Sequence, residues 1–266
     1  MAIEINKNLV KDARALLNKK GRDAQKRFVV EGDKIICEMP SDWTVCYYLC
    51  AESYAKENNL SVLAGRAECI VVRDAIFEGL SDTKTPQGIA AVCEQKFFSF
   101  EKIILEDALI LFGENLQDPG NVGALIRTAA AAGAAAVLLT NDGCDPYNPK
   151  VIRASAGYSL RLPVIVAESS VKSVRFLKEN NLKIYAAHLN GNVTPYEVDM
   201  KKGCCILVGN EACGLTDEIC NEADALLKLP MPGANKSGSL NASVAGGIIL
   251  YEAVRQRMKK NTGGKQ

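Results

Sequence analysis

The chain has 266 residues and a formal net charge of +1 at pH 7, with 48% apolar and 24% charged residues. This is the composition of a globular protein of two domains or one large one, and net charge alone indicates no acidic or basic partner. Charged residues interrupt the apolar runs before they reach the roughly 20 residues that a transmembrane helix needs. No leader pattern opens the sequence, so we expect a cytoplasmic protein without membrane contact.

The ten cysteines form no recognisable disulfide or metal-binding pattern. Several lie in apolar, strand-like runs, Cys204 and Cys205 are adjacent, and no pair has the Cys-x-x-Cys spacing. Because the chain has a single histidine, His188, we expect no zinc site of the Cys/His type. Reduced thiols agree with a cytoplasmic location.

Residues 1–98 are predicted to form one small α/β domain. Helical patterns lie at Asn8–Lys20, Asp33–Met39 and Glu52–Asn58. Short runs rich in β-branched and aromatic residues predict four strands, at Phe28–Val30, Thr44–Leu49, Ile70–Val72 and Ile89–Val92. The sequence FFSFEK, residues 97–102, is expected to connect this domain to the next.

Residues 103–258 alternate strand and helix patterns more regularly, and their strand-like runs are continuously apolar, as in parallel strands covered on both faces. The predicted strands are Leu109–Leu116, Ala136–Thr140, Pro163–Val166, Lys183–Ala187, Cys204–Gly209 and Ala225–Leu229. The predicted helices are 122–132, 170–180, 216–222 and 240–258. We therefore predict a doubly wound parallel α/β domain, followed by a disordered polar tail at 259–266.

Three segments that follow predicted strands are rich in polar residues, and ligands of open parallel sheets bind outside the carboxyl ends of the strands. The first segment is NLQDPGNVGALIRTAAAAGAA, residues 115–135. Asn121 is placed to cap a helix, and Arg127 lies six residues on, on a face otherwise made of glycine and alanine. An arginine there has room to reach a ligand or an apposed chain. The alternative is a surface arginine on a helix packed through its alanines.

The second segment is LVGNEACGLTDE, residues 207–218. Glu211 lies between Gly209 and Gly214, which permit sharp bends. Thr216 is a good helix N-cap, but capping does not explain Glu211. The alternative to a functional role is a solvated loop glutamate.

The third segment is LPMPGANKSGSLNASVAGG, residues 229–247, which opens the last helix. Ser239 is predicted to cap this helix, and Asn241 and Ser243 follow where free backbone N–H groups favour a polar ligand group. An apolar wall that suits a purine ring held edge-on is predicted from three residues: Leu229, Met231 and Leu240. A Ser/Asn-rich cap without a ligand is the alternative.

In this order, DPGNVGALIRTA, GNEACGL and LPMPG…SLNASVA resemble the three motifs of the SpoU/TrmH family of RNA ribose 2′-O-methyltransferases. The resemblance covers residues 105–258 and includes DPYNPKVIRASAGYSLRLPV, residues 145–164. The first 98 residues resemble the ribosomal-protein-like RNA-binding domain that many members carry, above all in FVVEGDKIICE and TPQGIAAVCE.

The resemblance implies a sheet whose C-terminal segment passes through a loop to form a deep trefoil knot, which composition alone would not suggest. It also implies a homodimer with its active site at the subunit junction, no metal, and S-adenosylmethionine as cofactor. The implied catalytic residues are Arg127, Asn121, Glu211, Ser239 and Asn241. The residues implied to hold the cofactor are Leu189, Gly209, Leu229, Met231 and Leu240.

A basic run in the first domain supports an RNA substrate. Residues 7–27 contain eight lysines and arginines against two aspartates, although a solvated helix face is the alternative. The predicted RNA contacts are Lys19, Lys20, Arg22, Lys26, Arg27 and Arg153. Lys150 and Arg161 are candidates to extend this surface.

The hypothesis that follows is methyl transfer to a ribose 2′-hydroxyl of structured RNA, with large-subunit rRNA favoured. Arg127 is expected to contact the hydroxyl or a neighbouring phosphate, with Asn121, Glu211 and Asn241 orienting it. Because the pKa of arginine lies above about 12, positioning and charge stabilisation are favoured over proton abstraction.

Three alternatives stay open at the level of sequence. They are a knotted methyltransferase acting on a base or on tRNA ribose, an RNA-binding protein with an inactive methyltransferase domain, and a generic nucleotide-binding enzyme. The absence of GxGxxG and GxxxxGK[ST] patterns disfavours the last of these.

Overall fold

The computed structural model describes residues 7–233 and 238–258, apart from the side chains of Lys7, Val62 and Glu101. The tail predicted to be disordered, residues 259–266, lies outside the described residues. Within the described ranges, no helix is long and apolar enough to span a bilayer.

Ten β-strands and eleven α-helices are formed by the described residues. The strands are β1 (Arg27–Glu31), β2 (Val45–Ala51), β3 (Cys69–Val72), β4 (Ile89–Glu94), β5 (Leu109–Gly113), β6 (Ala136–Thr140), β7 (Val164–Ala167), β8 (Lys183–Ala187), β9 (Cys204–Val208) and β10 (Ala225–Leu227). The helices are α1 (Lys7–Ala15), α2 (Lys19–Gln25), α3 (Asp33–Cys37), α4 (Glu52–Glu57), α5 (Ser61–Ala64), α6 (Asp74–Glu78), α7 (Pro119–Ala131), α8 (Pro149–Ala154), α9 (Ser170–Glu179), α10 (Asp217–Glu222) and α11 (Ala242–Met258).

The chain divides into two compact units. The first unit contains the residues up to Lys96 together with Tyr147–Arg161, and the second contains Phe97–Pro146 and the residues from Leu162 onward. The predicted domains, 1–98 and 103–258, differ from this division in the segment 147–161. That segment packs in the first unit, where the Trp43 indole N–H donates to the Leu160 carbonyl at 2.7 Å.

The first unit is built on a mixed four-stranded sheet, in the order β1-β4-β2-β3. Strand β4 runs antiparallel to β1 and β2, whereas β2 and β3 are parallel. Buried side chains such as Leu49, Phe77 and Val92 form its core. The four predicted strands are confirmed.

The first predicted helix, Asn8–Lys20, is wrong in its extent, because the chain turns at residues 16–18 between α1 and α2. The Arg22 guanidinium donates to the carbonyl oxygens of Leu16 and Leu17 at 2.8 and 3.0 Å. These bonds replace the ones that a continuous helix would supply, so the break is stabilised by a contact from the next helix.

The second unit is built on a six-stranded sheet in the order β10-β8-β9-β5-β6-β7, with every pairing parallel. The predicted parallel sheet is confirmed, and the interiors of β5, β6 and β9 are wholly buried. Strand β5 is the first strand of this sheet along the chain, yet it lies between β9 and β6. The strand order therefore reverses at β5. The segments that follow β5 and β9 are therefore neighbours at the edge where the strands end, which we call the carboxyl edge.

Helix α11 packs against α7 and β9, and a small residue makes this approach possible. A Cβ at Gly246 would lie 2.6 Å from the Leu125 side chain. At the edge where the strands begin, the amino edge, Arg257 donates to the carbonyl oxygens of Lys202, Met200 and Asp107 at 2.7, 3.0 and 3.1 Å. The last turn of α11 is thus fixed to the amino edge, and its first turn lies near the carboxyl edge.

Candidate active site

Helix α7 begins at the carboxyl edge directly after β5, and its cap differs from the prediction. The Asp118 carboxylate, not Asn121, accepts the capping bond, from the Asn121 backbone N–H at 2.8 Å. Pro119 occupies the first helical position, where its missing N–H costs nothing. The Asn121 side chain is therefore available for contacts outside its own helix.

The loop after β9, residues 209–216, folds tightly on itself. Asn210 and Gly214 exchange backbone hydrogen bonds at 3.0 and 2.9 Å, and Gly214 has a φ of 76°. A Cβ at Gly209 would lie 2.2 Å from the Gly214 carbonyl carbon, so only glycine fits there. This turn places Glu211 at the tip of the loop.

The Glu211 carboxylate binds the start of α7. It accepts hydrogen bonds from the backbone N–H groups of Gln117 and Asp118, each at 3.2 Å, and from Asn121 Nδ2 at 3.0 Å. Partial burial alone would raise the pKa of Glu211, but the bonds from Asn121 and from backbone N–H groups outweigh it and hold the pKa below its ordinary value of 4.5. Glu211 is therefore ionised at neutral pH.

Helix α11 is capped by Asn241, which corrects the prediction that Ser239 caps it. Asn241 Oδ1 accepts from the backbone N–H and hydroxyl of Ser243, at 2.9 and 2.6 Å, and from the Val244 N–H at 3.4 Å. Asn241 Nδ2 then donates to Asn121 Oδ1 at 2.8 Å. A continuous chain of hydrogen bonds, the Glu211–Asn121–Asn241 network, joins all three polar segments.

A cavity of about 570 Å³ opens beside this network. It is lined by seven residues that the sequence singled out: Leu189, Gly209, Glu211, Leu229, Met231, Leu240 and Asn241. Ser239 lines it as well, although it caps nothing in the described residues. Residues that sequence reasoning did not assign to the site also line it, among them His188, Asn210 and Cys213.

Arg127 stands apart from the network. Its side chain is exposed, and no hydrogen bond or ion pair joins it to another residue of the described ranges. Asn121, Glu211 and Asn241, which were expected to orient Arg127, form their side-chain bonds with one another and with neighbouring residues, so any orienting effect on Arg127 in the single chain is indirect. The backbone of α7 alone sets the position of Arg127, which lies nearly two helical turns beyond Asn121.

Of the predicted RNA contacts, all in the first unit, Lys19, Lys20 and Lys26 are exposed, and Arg27 is partly exposed. Arg22 is 2% exposed and bonds to backbone carbonyls, so we leave it out of the RNA-binding surface. Arg153 forms an ion pair with Asp82 at 2.6 Å.

Two further polar residues support the loop after β9. Glu114, directly after β5, is 6% exposed and accepts from the N–H and hydroxyl of Thr216 at 2.8 and 3.0 Å. Asn210 donates to the Asn115 carbonyl at 2.8 Å. The one feature of the sequence that could have pointed to Glu114 is a carboxylate directly after an apolar strand.

This fold and site define an α/β protein with a ligand cavity at the switch point of a parallel sheet, together with a separate small α/β unit. Residues 108–251 match the model of the SpoU rRNA methylase family, and residues 7–91 match that of the MRM3-like substrate-binding domain. The chain belongs to the SpoU rRNA methylase family.

One curated relative is similar over nearly the whole chain, and another over somewhat more than half of it. The chain is 33% identical to the 23S rRNA (guanosine(2553)-2′-O)-methyltransferase RlmP of Bacillus subtilis over 254 residues, 94% of this chain and 97% of the relative. It is 38% identical to the 23S rRNA (guanosine-2′-O-)-methyltransferase RlmB of Xanthomonas axonopodis over 151 residues, 57% of this chain and 60% of the relative.

Solved structures agree with this assignment. The AdoMet-bound rRNA methyltransferase of Sinorhizobium meliloti superposes with a TM-score of 0.84 at 29% identity, over 96% of this chain and 97% of that one. The SpoU methyltransferase AviRb of Streptomyces viridochromogenes, in complex with AdoMet, superposes with a TM-score of 0.85 at 28% identity, over 94% and 98%.

Proposed function

We propose that this protein transfers a methyl group from S-adenosylmethionine to the ribose 2′-hydroxyl of a nucleotide in large-subunit rRNA. The observation that carries the proposal is the Glu211–Asn121–Asn241 network, in which residues from all three motifs bond to one another beside a cavity at the carboxyl edge. Guanosine is the proposed nucleotide, since the Bacillus subtilis relative that matches along 94% of the chain is named for guanosine.

The cavity fits S-adenosylmethionine in size and chemistry. A volume of about 570 Å³ lies within the range of small-molecule sites, and apolar side chains dominate its wall. We assign the cofactor to Leu189, Gly209, Leu229, Met231 and Leu240. The sulfonium of the bound cofactor supplies an already activated methyl carbon, so alignment is the main task left to the protein.

The protein residues perform that alignment in two ways. Ionised Glu211 holds the start of α7 through Asn121 and two backbone N–H groups, which fixes the helix that carries Arg127. The Arg127 guanidinium donates to the 2′-oxygen or to the adjacent phosphate. A guanidinium there would stabilise the negative charge that develops as the methyl–sulfur bond breaks and the hydroxyl proton passes to solvent water.

The active enzyme in this proposal is a homodimer. Helix α11 exposes a stripe of large apolar residues at helical spacing, Val244, Ile248 and Tyr251, with Tyr251 half exposed. The exposed Arg127 lies on α7, the helix against which α11 packs. A second copy on this stripe would cover Arg127 and complete the site. Sedimentation at assay concentration tests the dimer, and a monomer with full activity would contradict it.

We also propose that the C-terminal segment of the second unit is knotted. The loop between β8 and β9 lies so close to β10 that a Cβ at Gly191 would be 2.6 Å from the Leu226 carbonyl oxygen. The end of α11 binds the same loop, where Gln256 contacts Val198 and Met200. Tracing the backbone in a crystal structure tests this, and a chain that passes beside the loop would contradict it.

RNA binding is assigned to the first unit, through its exposed lysines Lys19, Lys20 and Lys26. Replacing all three with glutamate should weaken rRNA binding at least tenfold and reduce its salt dependence, because phosphate contacts release counterions. The matched control replaces three exposed lysines of the second unit, Lys102, Lys172 and Lys201. Equal losses in both variants would contradict this surface.

The whole proposal is tested in cells, where we place the reaction in the cytoplasm. Mass-spectrometric mapping of 2′-O-methylation across total rRNA, with and without the gene, should show the loss of a single methyl group on a large-subunit guanosine. An unchanged rRNA pattern with a lost tRNA methyl group would favour the tRNA alternative.

A further inference from the structure

The side-chain carboxamide of Asn210 bonds within the loop after β9 through its oxygen and outside the loop through its nitrogen. Its Oδ1 accepts from the backbone N–H groups of Ala212 and Cys213 at 2.8 and 3.1 Å, which fixes the turn. Its Nδ2 donates to the Asn115 carbonyl at 2.8 Å, which ties the turn to the segment after β5. One side chain therefore shapes the loop and attaches it to the neighbouring chain segment.

The other end of the loop is attached to the same segment. The buried Glu114 carboxylate accepts both the N–H and the hydroxyl of Thr216. Glu211 lies between these two attachment points and binds Gln117, Asp118 and Asn121. The position of the Glu211 carboxylate thus depends on a loop that is anchored before and after it.

We propose that Asn210 is a positioning residue for methyl transfer, acting on kcat through Glu211 and on the affinity for S-adenosylmethionine through the cavity wall. This inference rests on the proposed function and extends it to a residue outside the predicted catalytic set. Asn210, Ala212 and Cys213 all line the cavity, so a loosened turn alters both the wall and the Glu211 contacts.

The chemistry of this position requires a carboxamide. The residue must donate one hydrogen bond and accept two from the same short side chain, and asparagine does both. Aspartate keeps the acceptor but loses the donor, and it places a negative charge against the Asn115 carbonyl oxygen. Alanine loses both functions. The two replacements therefore separate the shape of the turn from its attachment.

The first arm of the test measures backbone amide exchange and does not depend on activity. In Asn210→Ala, the amides of Ala212 and Cys213 should exchange at least tenfold faster than in the wild type. In Asn210→Asp, they should stay within about threefold, because Oδ1 still accepts from them. Unchanged exchange in Asn210→Ala would overturn the proposal.

The second arm measures kcat at saturating S-adenosylmethionine and rRNA, per folded molecule. Both variants should lower kcat about 10- to 100-fold. The control is Asn180→Ala, at the end of α9, whose side-chain amide bonds to the Phe176 carbonyl of the same helix, and it should change kcat less than twofold. In a Glu211→Gln background, adding Asn210→Ala should lower kcat by less than a further threefold. A lower melting temperature with unchanged kcat, or losses that multiply in the double variant, would overturn the proposal.

The two arms of the test distinguish failure of the positioning role of Asn210 from failure of the proposed function. If the wild-type protein methylates no RNA, the proposed function fails, and the exchange arm still reports whether Asn210 holds the loop. If the wild type is active and the variants are too, only the positioning role fails.

Discussion

The two edges of the six-stranded sheet contain similar residues that are used differently. At the amino edge, Gln256 and Arg257 bind backbone atoms of Asp107, Val198, Met200 and Lys202, and these bonds fix α11 in place. At the carboxyl edge, Glu211, Asn121 and Asn241 bind one another beside a cavity, and Arg127 binds no described residue. The contrast separates Arg257, which stabilises the fold, from Arg127, which we propose contacts the substrate.

Replacing Arg127 should produce the largest effect on activity. Arg127→Ala is expected to lower kcat about a thousandfold, roughly 4 kcal/mol of transition-state stabilisation. Arg127→Lys should recover only part of this, because an ammonium lacks the planar fork of donors. The melting temperature and the affinity for S-adenosylmethionine should stay unchanged. Near-normal turnover in either variant would remove Arg127 from the mechanism.

Glu211→Gln should lower kcat about thirtyfold, roughly 2 kcal/mol. Because the folded protein holds the pKa of Glu211 below 4.5, the contribution of this carboxylate to stability is present above pH 4.5 and is lost only as the pH falls through the lowered pKa. Activity profiles of wild type and Glu211→Gln should therefore have the same shape from about pH 6 to 9. A profile that Glu211→Gln shifts within that window would show that the carboxylate titrates there.

At the amino edge, Arg257→Met should lower the free energy of unfolding by about 2 kcal/mol, since it leaves several backbone carbonyls without their charged donor. Denaturant titration measures this, and kcat per folded molecule should not change. Arg175→Met, which removes an exposed pair with Glu222, is the control and should leave stability close to that of the wild type. A large kcat loss in Arg257→Met would erase the distinction between the two edges.

The smallest expected effect is a protection from alkylation. Cys213 is exposed and lines the cavity, so S-adenosylmethionine should slow its reaction with iodoacetamide severalfold. Burial raises the pKa of Cys93 to about 12 and that of Cys204 to about 11, so these thiols should stay unmodified. Exposed Cys37, in the first unit, should react equally with and without the cofactor.

The parallel sheet could be predicted because strands buried on both faces leave continuous apolar runs, and Ala136–Thr140 and Lys183–Ala187 appear with the predicted bounds. The packing of 147–161 in the first unit could not be predicted, because it depends on contacts such as that between Trp43 and Leu160, 117 residues apart. The break between α1 and α2 likewise depends on where the Arg22 side chain lies.

Which residues line the cavity could largely be anticipated from the sequence, but their hydrogen bonds could not. The polar segments identified residues that line the cavity, yet the caps were assigned to Asn121 and Ser239 instead of Asp118 and Asn241. Several side chains at a helix start are able to cap it, and tertiary partners decide which one does. The support from Asn210 was missed because its partner Asn115 lies 95 residues away.

The most direct test of the central claim follows a labelled methyl group from S-adenosylmethionine into large-subunit rRNA, with wild-type protein and with Arg127→Ala. A ribose 2′-O-methyl group blocks alkaline cleavage of the adjacent phosphodiester, so the label should appear in an alkali-resistant dinucleotide with the wild type and be nearly absent with the variant. Label in an alkali-released mononucleotide, or equal labelling by both proteins, would contradict the account.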